Sequence, residues 1–256
     1  METVNHINRG RELYAEGKLD EAIGEYTKAL VTDRNLIDGY FYRGNAYYAK
    51  GDYDLAIADF SAALKINPDF SIALINRGYA HSSKGEHDRA IADFTAVLRI
   101  RPGSHLGLND RGFEYAAKGE HDLAIQDFTA ALKIRSDDFV SLYNRGNSYS
   151  KKGDLDRAVA DYTTVLKIKP DHFMALNNRG IAYAKKGDND RAIADYTAVL
   201  TFNPDDVDAL NNCGALYATK GDLDKAIATW EAVLRFDPNN ASAKQNIETA
   251  KRELTK

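Results

Sequence analysis

The sequence predicts an all-α protein, an α-solenoid of seven antiparallel helix pairs followed by a capping helix. Three sets of residues predict this fold class, because each recurs with a spacing of 34 residues or a multiple of it. A fixed period of this size is typical of stacked-repeat proteins. The sets are Gly10, Gly44, Gly78, Gly112, Gly146, Gly180 and Gly214; Gly17, Gly51, Gly85, Gly119, Gly153, Gly187 and Gly221; and Pro68, Pro102, Pro170, Pro204 and Pro238.

The period divides the chain into seven repeats and a C-terminal segment. A hairpin of this length cannot bury its own apolar face, so neighbouring hairpins must stack. We therefore predict that residues 1–256 form a single solenoid domain. Numbered so that each repeat has positions 1 to 34, the repeats are residues 3–36, 37–70, 71–104, 105–138, 139–172, 173–206 and 207–240, and the capping helix is 241–256.

The first helix of each repeat is predicted to end at the second glycine ladder. Lysine occupies position 14 in repeats two to seven, as in Lys152 directly before Gly153. A cation in the last turn, followed by a residue that tolerates positive φ, is a helix C-terminal signal.

The second helix is predicted to begin at the acidic residues that follow. In repeat five, Asp154 and Asp156 can cap its first turn. Ala158 and Tyr162 then have the spacing of an apolar helix face, and Pro170 prevents the helix from continuing. In the last segment, Ala243, Ile247, Ala250 and Leu254 share one face and predict a helix that caps the stack.

The run NNRGIAYAKKGDNDRAIADYTAVLTFNPDD, which begins at Asn177, resembles a tetratricopeptide repeat (TPR). The resemblance rests on Gly180, Tyr183, Ala192, Tyr196 and Pro204, and in-phase copies extend from residue 3 to residue 240. It implies a right-handed superhelix whose concave groove is lined by positions 2, 5, 6, 9 and 12 of the first helices. It also implies a scaffold for protein–protein interaction.

One departure from the family pattern lies at position 7, where the family usually has leucine. Six repeats have arginine there and an acid at position 23, whereas repeat seven has Cys213 and Thr229. In an antiparallel hairpin these positions lie across from each other, so we predict an arginine–carboxylate bridge in each of the six repeats. The alternative is that both motifs were duplicated without touching. The pairs are Arg9 with Glu25, Arg43 with Asp59, Arg77 with Asp93, Arg111 with Asp127, Arg145 with Asp161 and Arg179 with Asp195.

Asparagine recurs at position 6, in the groove that the resemblance implies. Each amide offers donors and an acceptor, so such a row can pair with the backbone of an extended peptide. The alternative is that asparagine is merely tolerated at the rim. Groove positions are apolar or aromatic in the first half of the chain and rich in amides in the second. The candidate peptide-binding residues are Asn8, Phe41, Asn45, Ile75, Asn76, Tyr79, Asn109, Phe113, Tyr143, Asn144, Asn147, Asn177, Asn178, Asn211 and Asn212.

Composition excludes several classes of function. The net charge is −4, with no clustered basic stripe, which argues against a nucleic-acid partner. No apolar run is long enough for membrane insertion. The single cysteine, Cys213, suits a reducing compartment, and we expect a cytoplasmic protein. No motif indicates a metal, a cofactor or a catalytic residue, so we expect no enzyme activity.

The sequence therefore predicts a non-catalytic scaffold or adaptor that binds a protein or an extended peptide in its groove. An alternative is the regulatory or targeting arm of a larger enzyme or of a secretion or assembly complex. Self-association through the repeat ends is a third possibility.

Overall fold

The computed structural model describes residues 2–255, which form fifteen α-helices and no strands. The end residues of the predicted domain, Met1 and Lys256, lie outside this range. The helices are α1 (Glu2–Ala15), α2 (Leu19–Thr32), α3 (Ile37–Lys50), α4 (Tyr53–Ile66), α5 (Ser71–Ser83), α6 (His87–Ile100), α7 (His105–Ala117), α8 (His121–Ile134), α9 (Phe139–Lys151), α10 (Leu155–Ile168), α11 (Phe173–Lys185), α12 (Asn189–Phe202), α13 (Val207–Thr219), α14 (Leu223–Phe236) and α15 (Ala241–Leu254).

Each repeat is one helical hairpin, as the sequence predicts. Its two helices pack against each other. The second helix also packs against the first helix of the following repeat in the pairs α2 with α3, α4 with α5, α6 with α7, α10 with α11 and α12 with α13. The described residues divide into two compact units, the first ending at Ser136 and the second beginning at Asp137. Unit one contains α1 to α8, and unit two contains α9 to α15.

The second glycine ladder makes the turn within each hairpin. Gly51 follows α3 with φ of +84° and donates its backbone N–H to carbonyls of the last helical turn. This left-handed conformation is costly for a residue with a Cβ atom, which explains glycine there. All seven glycines of this ladder have φ between 73° and 84°.

The first glycine ladder permits close packing within the hairpin. A Cβ atom added to Gly44 would lie 2.8 Å from Cε1 of Phe60, which is fully buried. Alanines complete the core: Ala56, on the same helix as Phe60, is also fully buried. Glycine is therefore needed there because the aromatic ring of the second helix rests on the backbone of the first.

The predicted capping helix is α15, which packs against α14. Ala243, Ile247 and Ala250 are buried with Trp230. Leu254, the fourth residue of the predicted face, is 50% exposed. It is the last residue of α15, one turn beyond the buried Ala250.

The predicted acidic caps form in part. The carboxylate of Asp154 accepts a hydrogen bond from the backbone N–H of Arg157 at the start of α10. Asp52, at the corresponding place before α4, forms no such bond. In residues 2–255, no helix combines the length and the apolar character that crossing a membrane requires.

Candidate functional site

Arginine–aspartate pairs join the two helices of repeats two to six. In each pair the arginine Nε and Nη2 donate to the two oxygens of one aspartate, over 2.6–2.9 Å. The aspartate side chains are 5–9% exposed and the arginines 18–24%. The hydrogen bonds that Arg43 donates to Asp59 raise the pKa of the arginine. This bidentate geometry is the strongest form of a charged hydrogen bond.

A hydroxyl on the preceding repeat is a third partner, which the sequence analysis missed. The Nη1 of Arg43 donates to Thr27 over 3.1 Å, and that of Arg77 donates to Ser61 over 3.0 Å. Arg111 and Arg179 repeat the contact with the corresponding threonines. A run of serine or threonine at position 25 was the available signal. Each of these arginines therefore links its own hairpin to the one before it.

The bridge predicted for repeat one was wrong. Arg9 is exposed and donates to Glu12 on its own helix, while Glu25 binds His6 and Lys28. Nδ1 of His6, on the same helix as Arg9, lies 2.6 Å from Oε2 of Glu25 and takes the place predicted for the arginine.

Repeat seven has an open cleft at the place where repeats two to six hold the ion pair. The cleft has a volume of about 320 Å³ and is lined by residues that include Thr197, Cys213 and Thr229. Burial raises the pKa of the Cys213 thiol to about 11, which disfavours the reactive thiolate. In residues 2–255 there is also no group of three or more histidine, cysteine or acidic side chains that could hold a metal ion.

The first helices of successive repeats lie side by side within each unit, since α1 contacts α3, α3 contacts α5, and α9 contacts α11. We call their surfaces at positions 2, 5, 6 and 9 the unit-one face (α1, α3, α5 and α7) and the unit-two face (α9, α11 and α13). The candidate residues on the unit-one face are Asn8, Phe41, Asn45, Ile75, Asn76, Tyr79, Asn109 and Phe113, and those on the unit-two face are Tyr143, Asn144, Asn147, Asn177, Asn178, Asn211 and Asn212.

The candidates differ in how much surface they offer. Phe113 is 52% exposed and Tyr79 is 38% exposed, whereas Asn109 is buried. Phe41 packs against the rings of Phe60 and Phe70 and so belongs partly to the core. The position-5 side chains therefore form the floor of each face, while positions 2, 6 and 9 supply most of the surface.

Four of the predicted asparagines form two inter-repeat pairs, each joining position 9 to position 6 of the next repeat. The Nδ2 of Asn76 donates to Oδ1 of Asn45 over 2.7 Å. The Nδ2 of Asn178 donates to Oδ1 of Asn147 over 2.9 Å, and Tyr162 donates to the same oxygen. Each pair leaves an amide donor on one residue and a carbonyl acceptor on the other.

The same pair of positions carries charge elsewhere on the unit-one face, which the sequence analysis missed. The guanidinium of Arg11 lies 5.4 Å from the ring centroid of Tyr42. Tyr79 donates to Oδ2 of Asp110 over 2.9 Å. In the sequence, these contacts are marked only by the change of residue type at positions 6 and 9. The sequence does not show which of these side chains meet.

Of the carboxyls on this face, that of Asp110 has the pKa that is shifted furthest from its ordinary value. Its pKa is raised to about 6: burial is the main cause, the hydrogen bond from Tyr79 opposes it, and the charge of the nearby Glu114 adds to it. Glu114 is 2% exposed and is bonded to Nδ1 of His87 at 2.7 Å. The nearest carboxyl to Asp110 thus already has a partner.

This hairpin-repeat architecture agrees with a family that the sequence matches directly. The sequence model of the tetratricopeptide repeat family matches residues 41–105, 143–206 and 180–241. A second model, described as TPR repeat, matches residues 10–51 and 112–153. These matches cover more than half of the chain, which therefore belongs to the tetratricopeptide repeat family. The fold of this family is a scaffold for protein interaction.

Solved structures show the same fold at low sequence identity. The C-terminal part of a TPR repeat-containing protein from Cytophaga hutchinsonii is 22% identical, with a TM-score of 0.81, over 94% of this chain and 99% of that one. A tetratricopeptide repeat protein from Parabacteroides merdae is 18% identical, with a TM-score of 0.72, over 98% and 99%. YrrB, described as a TPR protein with an unusual peptide-binding site, is 22% identical, with a TM-score of 0.62, over 72% and 95%. A search of curated proteins returned no match.

Proposed function

We propose that the chain is a scaffold that binds an extended segment of a partner protein along its first-helix faces. The observation that carries this proposal is the geometry of the two asparagine pairs, Asn45 with Asn76 and Asn147 with Asn178. Within each pair, the hydrogen bond between the two side-chain amides orients both side chains. A donor and an acceptor remain side by side, and a peptide unit offers the complementary acceptor and donor.

The surroundings of the pairs support the same function. On the unit-one face Ile72, Tyr79, Leu106 and Phe113 are each at least 38% exposed, and on the unit-two face Val140 and Met174 are exposed. Exposed apolar side chains that share one surface are typical of protein-binding sites. The asparagine pairs would hold the partner backbone, and the apolar side chains beside them would select its side chains.

The experiment begins with dodecapeptides selected from a random phage-displayed library on the full chain. Their affinities are measured by fluorescence anisotropy for the wild type and for two double variants, Asn45→Ala with Asn76→Ala and Asn147→Ala with Asn178→Ala. We expect at least one double variant to weaken binding about tenfold or more, because several hydrogen bonds to the backbone are lost. N-methylation of the peptide backbone should weaken binding similarly.

The matched control is Asn35→Ala with Asn239→Ala, since both asparagines are exposed outside the two faces. It should bind like the wild type, and circular dichroism should show unchanged helix content for all variants. Affinities that are the same for every variant and for N-methylated peptides would contradict the proposed site.

A further inference from the structure

The unit-one face changes its chemistry from one repeat to the next. Where position 9 meets position 6 of the following repeat, the pairs are Arg11 with Tyr42, then Asn45 with Asn76, then Tyr79 with Asp110. The face therefore runs from a cation, through a neutral amide pair, to an acid. Such an order gives the surface a direction that a neutral asparagine row does not have.

The cationic end has a cavity next to it. The cavity has a volume of about 200 Å³ and is lined by Arg11, Tyr14, Tyr26, Tyr42 and Asn45. All five side chains can donate hydrogen bonds, and Arg11 forms no ion pair with any carboxylate in residues 2–255. The surroundings of the cavity therefore suit an anionic group.

The depth of the cavity decides which part of a partner enters it. Tyr26 belongs to α2, behind the layer of first helices, and is 1% exposed. A backbone that runs across the first helices does not reach this depth, whereas a side chain does. The fitting group is thus the carboxylate of an aspartate or glutamate side chain.

The acidic end of the face suits a cationic group. Asp110 is half-buried and accepts a hydrogen bond from Tyr79, but no cationic side chain in residues 2–255 pairs with it. Glu114, the other acid beside it, is bonded to His87. Exposed Phe113 lies one helical turn after Asp110 on α7 and can pack against the aliphatic part of a lysine or arginine. Burial disfavours the ionised form of the Asp110 carboxyl, and a cation on the partner would stabilise that form.

We propose that the unit-one face selects a segment with an acidic side chain beside Arg11 and a lysine or arginine at Asp110. This inference rests on the proposed function, since it names the partner that the same face accepts. Arg11 on α1 and Asp110 on α7 are separated by three steps between first helices, each about 8–10 Å. An extended chain covers that separation in about seven to nine residues.

The test uses fluorescein-labelled dodecapeptides of serine, alanine and leucine that differ in two residues eight positions apart. Those residues are Glu and Lys, Gln and Lys, Glu and Gln, or Gln and Gln, and a fifth peptide has Glu and Lys only two positions apart. Binding is measured by anisotropy at low and high salt. We expect the Glu–Lys peptide with the wider spacing to bind about tenfold more tightly than the neutral peptide, and less so at high salt.

Two variants assign the charges to their ends. Arg11→Gln should remove the advantage of Glu over Gln, and Asp110→Asn should remove that of Lys over Gln. Arg34→Gln and Asp69→Asn are matched controls on exposed loop positions and should change neither. The variant Asn45→Ala with Asn76→Ala should weaken all the peptides together.

The outcomes separate this inference from the function on which it rests. Equal binding of neutral and charged peptides, with a loss in the Asn45 and Asn76 variant, overturns the charge selection and supports the proposed function. A charge preference that survives both Arg11→Gln and Asp110→Asn also overturns the inference. If none of the peptides binds the wild type, both are overturned.

Discussion

At the scale of single residues, the arginine–aspartate pair recurs in repeats two to six. Leucine would fill the same position by burial alone, whereas arginine must be both paired and hydrogen-bonded to be tolerated there. The structure meets that condition with two aspartate oxygens and, in four of the repeats, a hydroxyl of the preceding repeat. The arginine thus connects three helices that a leucine would only contact.

Removing one partner of such a pair should be costly. Asp127→Ala leaves Arg111, which is 21% exposed, without its carboxylate, and we expect unfolding free energy to fall by about 3 kcal/mol. Arg111→Leu should cost less, and the double variant should show a coupling of about 1–3 kcal/mol. Urea unfolding measures all three. Arg9→Leu is the control, because Arg9 is exposed, and it should cost under about 1 kcal/mol. Additive effects in the cycle would mean that the pair contributes no coupling.

The carboxyl of Asp110 should make stability depend on pH. Its pKa of about 6 in the folded protein lies above the ordinary value of 3.8, so the folded state holds this proton more tightly than the unfolded state does. As pH rises from about 4 to about 6, the proton is lost and stability falls, by at most about 3 kcal/mol. Tyr79 and Glu114 are the titratable groups that face Asp110, and His87 from α6 binds Glu114.

The measurement compares urea unfolding of the wild type and of Asp110→Asn at pH 4.5 and pH 7. The amide oxygen can still accept the hydrogen bond from Tyr79, so the variant should gain stability relative to the wild type as pH rises. A difference between the two proteins that is the same at both pH values would show that Asp110 does not titrate in this range.

At the scale of the helix, the two glycine ladders serve different purposes. One ends the first helix with positive φ, and the other lets the aromatic ring of the second helix lie on the first helix. Both are needed in every repeat because each hairpin has the same turn and the same inner packing. This explains why glycine marks the period more regularly than the apolar residues do.

Alanine substitution should separate these packing glycines from an unconstrained one. A Cβ atom at Gly112 would lie 2.9 Å from Cε1 of Phe128, and Gly112→Ala should therefore cost about 1–3 kcal/mol. Gly24 lies in α2 with no atom near its added Cβ, so Gly24→Ala should be neutral or gain up to about 1 kcal/mol. Thermal unfolding followed by circular dichroism tests both. A loss at Gly24 equal to that at Gly112 would contradict the packing explanation.

At the scale of the whole molecule, buried residues form separate clusters within each unit. One cluster in unit one includes Leu13, Tyr26 and Ala46, and one in unit two includes Leu210 and Trp230. Contacts in a repeat protein are mostly between neighbours, so stability is approximately a sum of local terms. That a single domain spans residues 1–256 stays a prediction.

Because the stabilising contacts of a repeat protein are mostly between neighbouring repeats, we predict that each unit folds without the other. Fragments 1–136 and 137–256 should each have the helix content expected from its own helices and unfold cooperatively, as followed by circular dichroism in urea. Their midpoints are expected to lie below that of the full chain, because shorter arrays have fewer stabilising interfaces. Loss of helix structure in either fragment would contradict this prediction.

The sequence by itself determined the hairpins and their partners within a repeat. The 34-residue period placed both helices of every repeat, and the covariation of positions 7 and 23 indicated five ion pairs that the structure contains. These features could be predicted because they depend on helix periodicity and on the geometry of a single turn. They are therefore encoded within 34 consecutive residues.

Only the tertiary structure decided the contacts between repeats. Between repeats, it brought Arg11 to Tyr42 and Tyr79 to Asp110. Within repeat one, it paired Glu25 with His6 instead of Arg9. Such contacts depend on the neighbouring hairpin, on side-chain conformation and on how deeply each group is buried. A repeat pattern contains none of these quantities, because the same residue at the same position meets a different neighbour in each repeat.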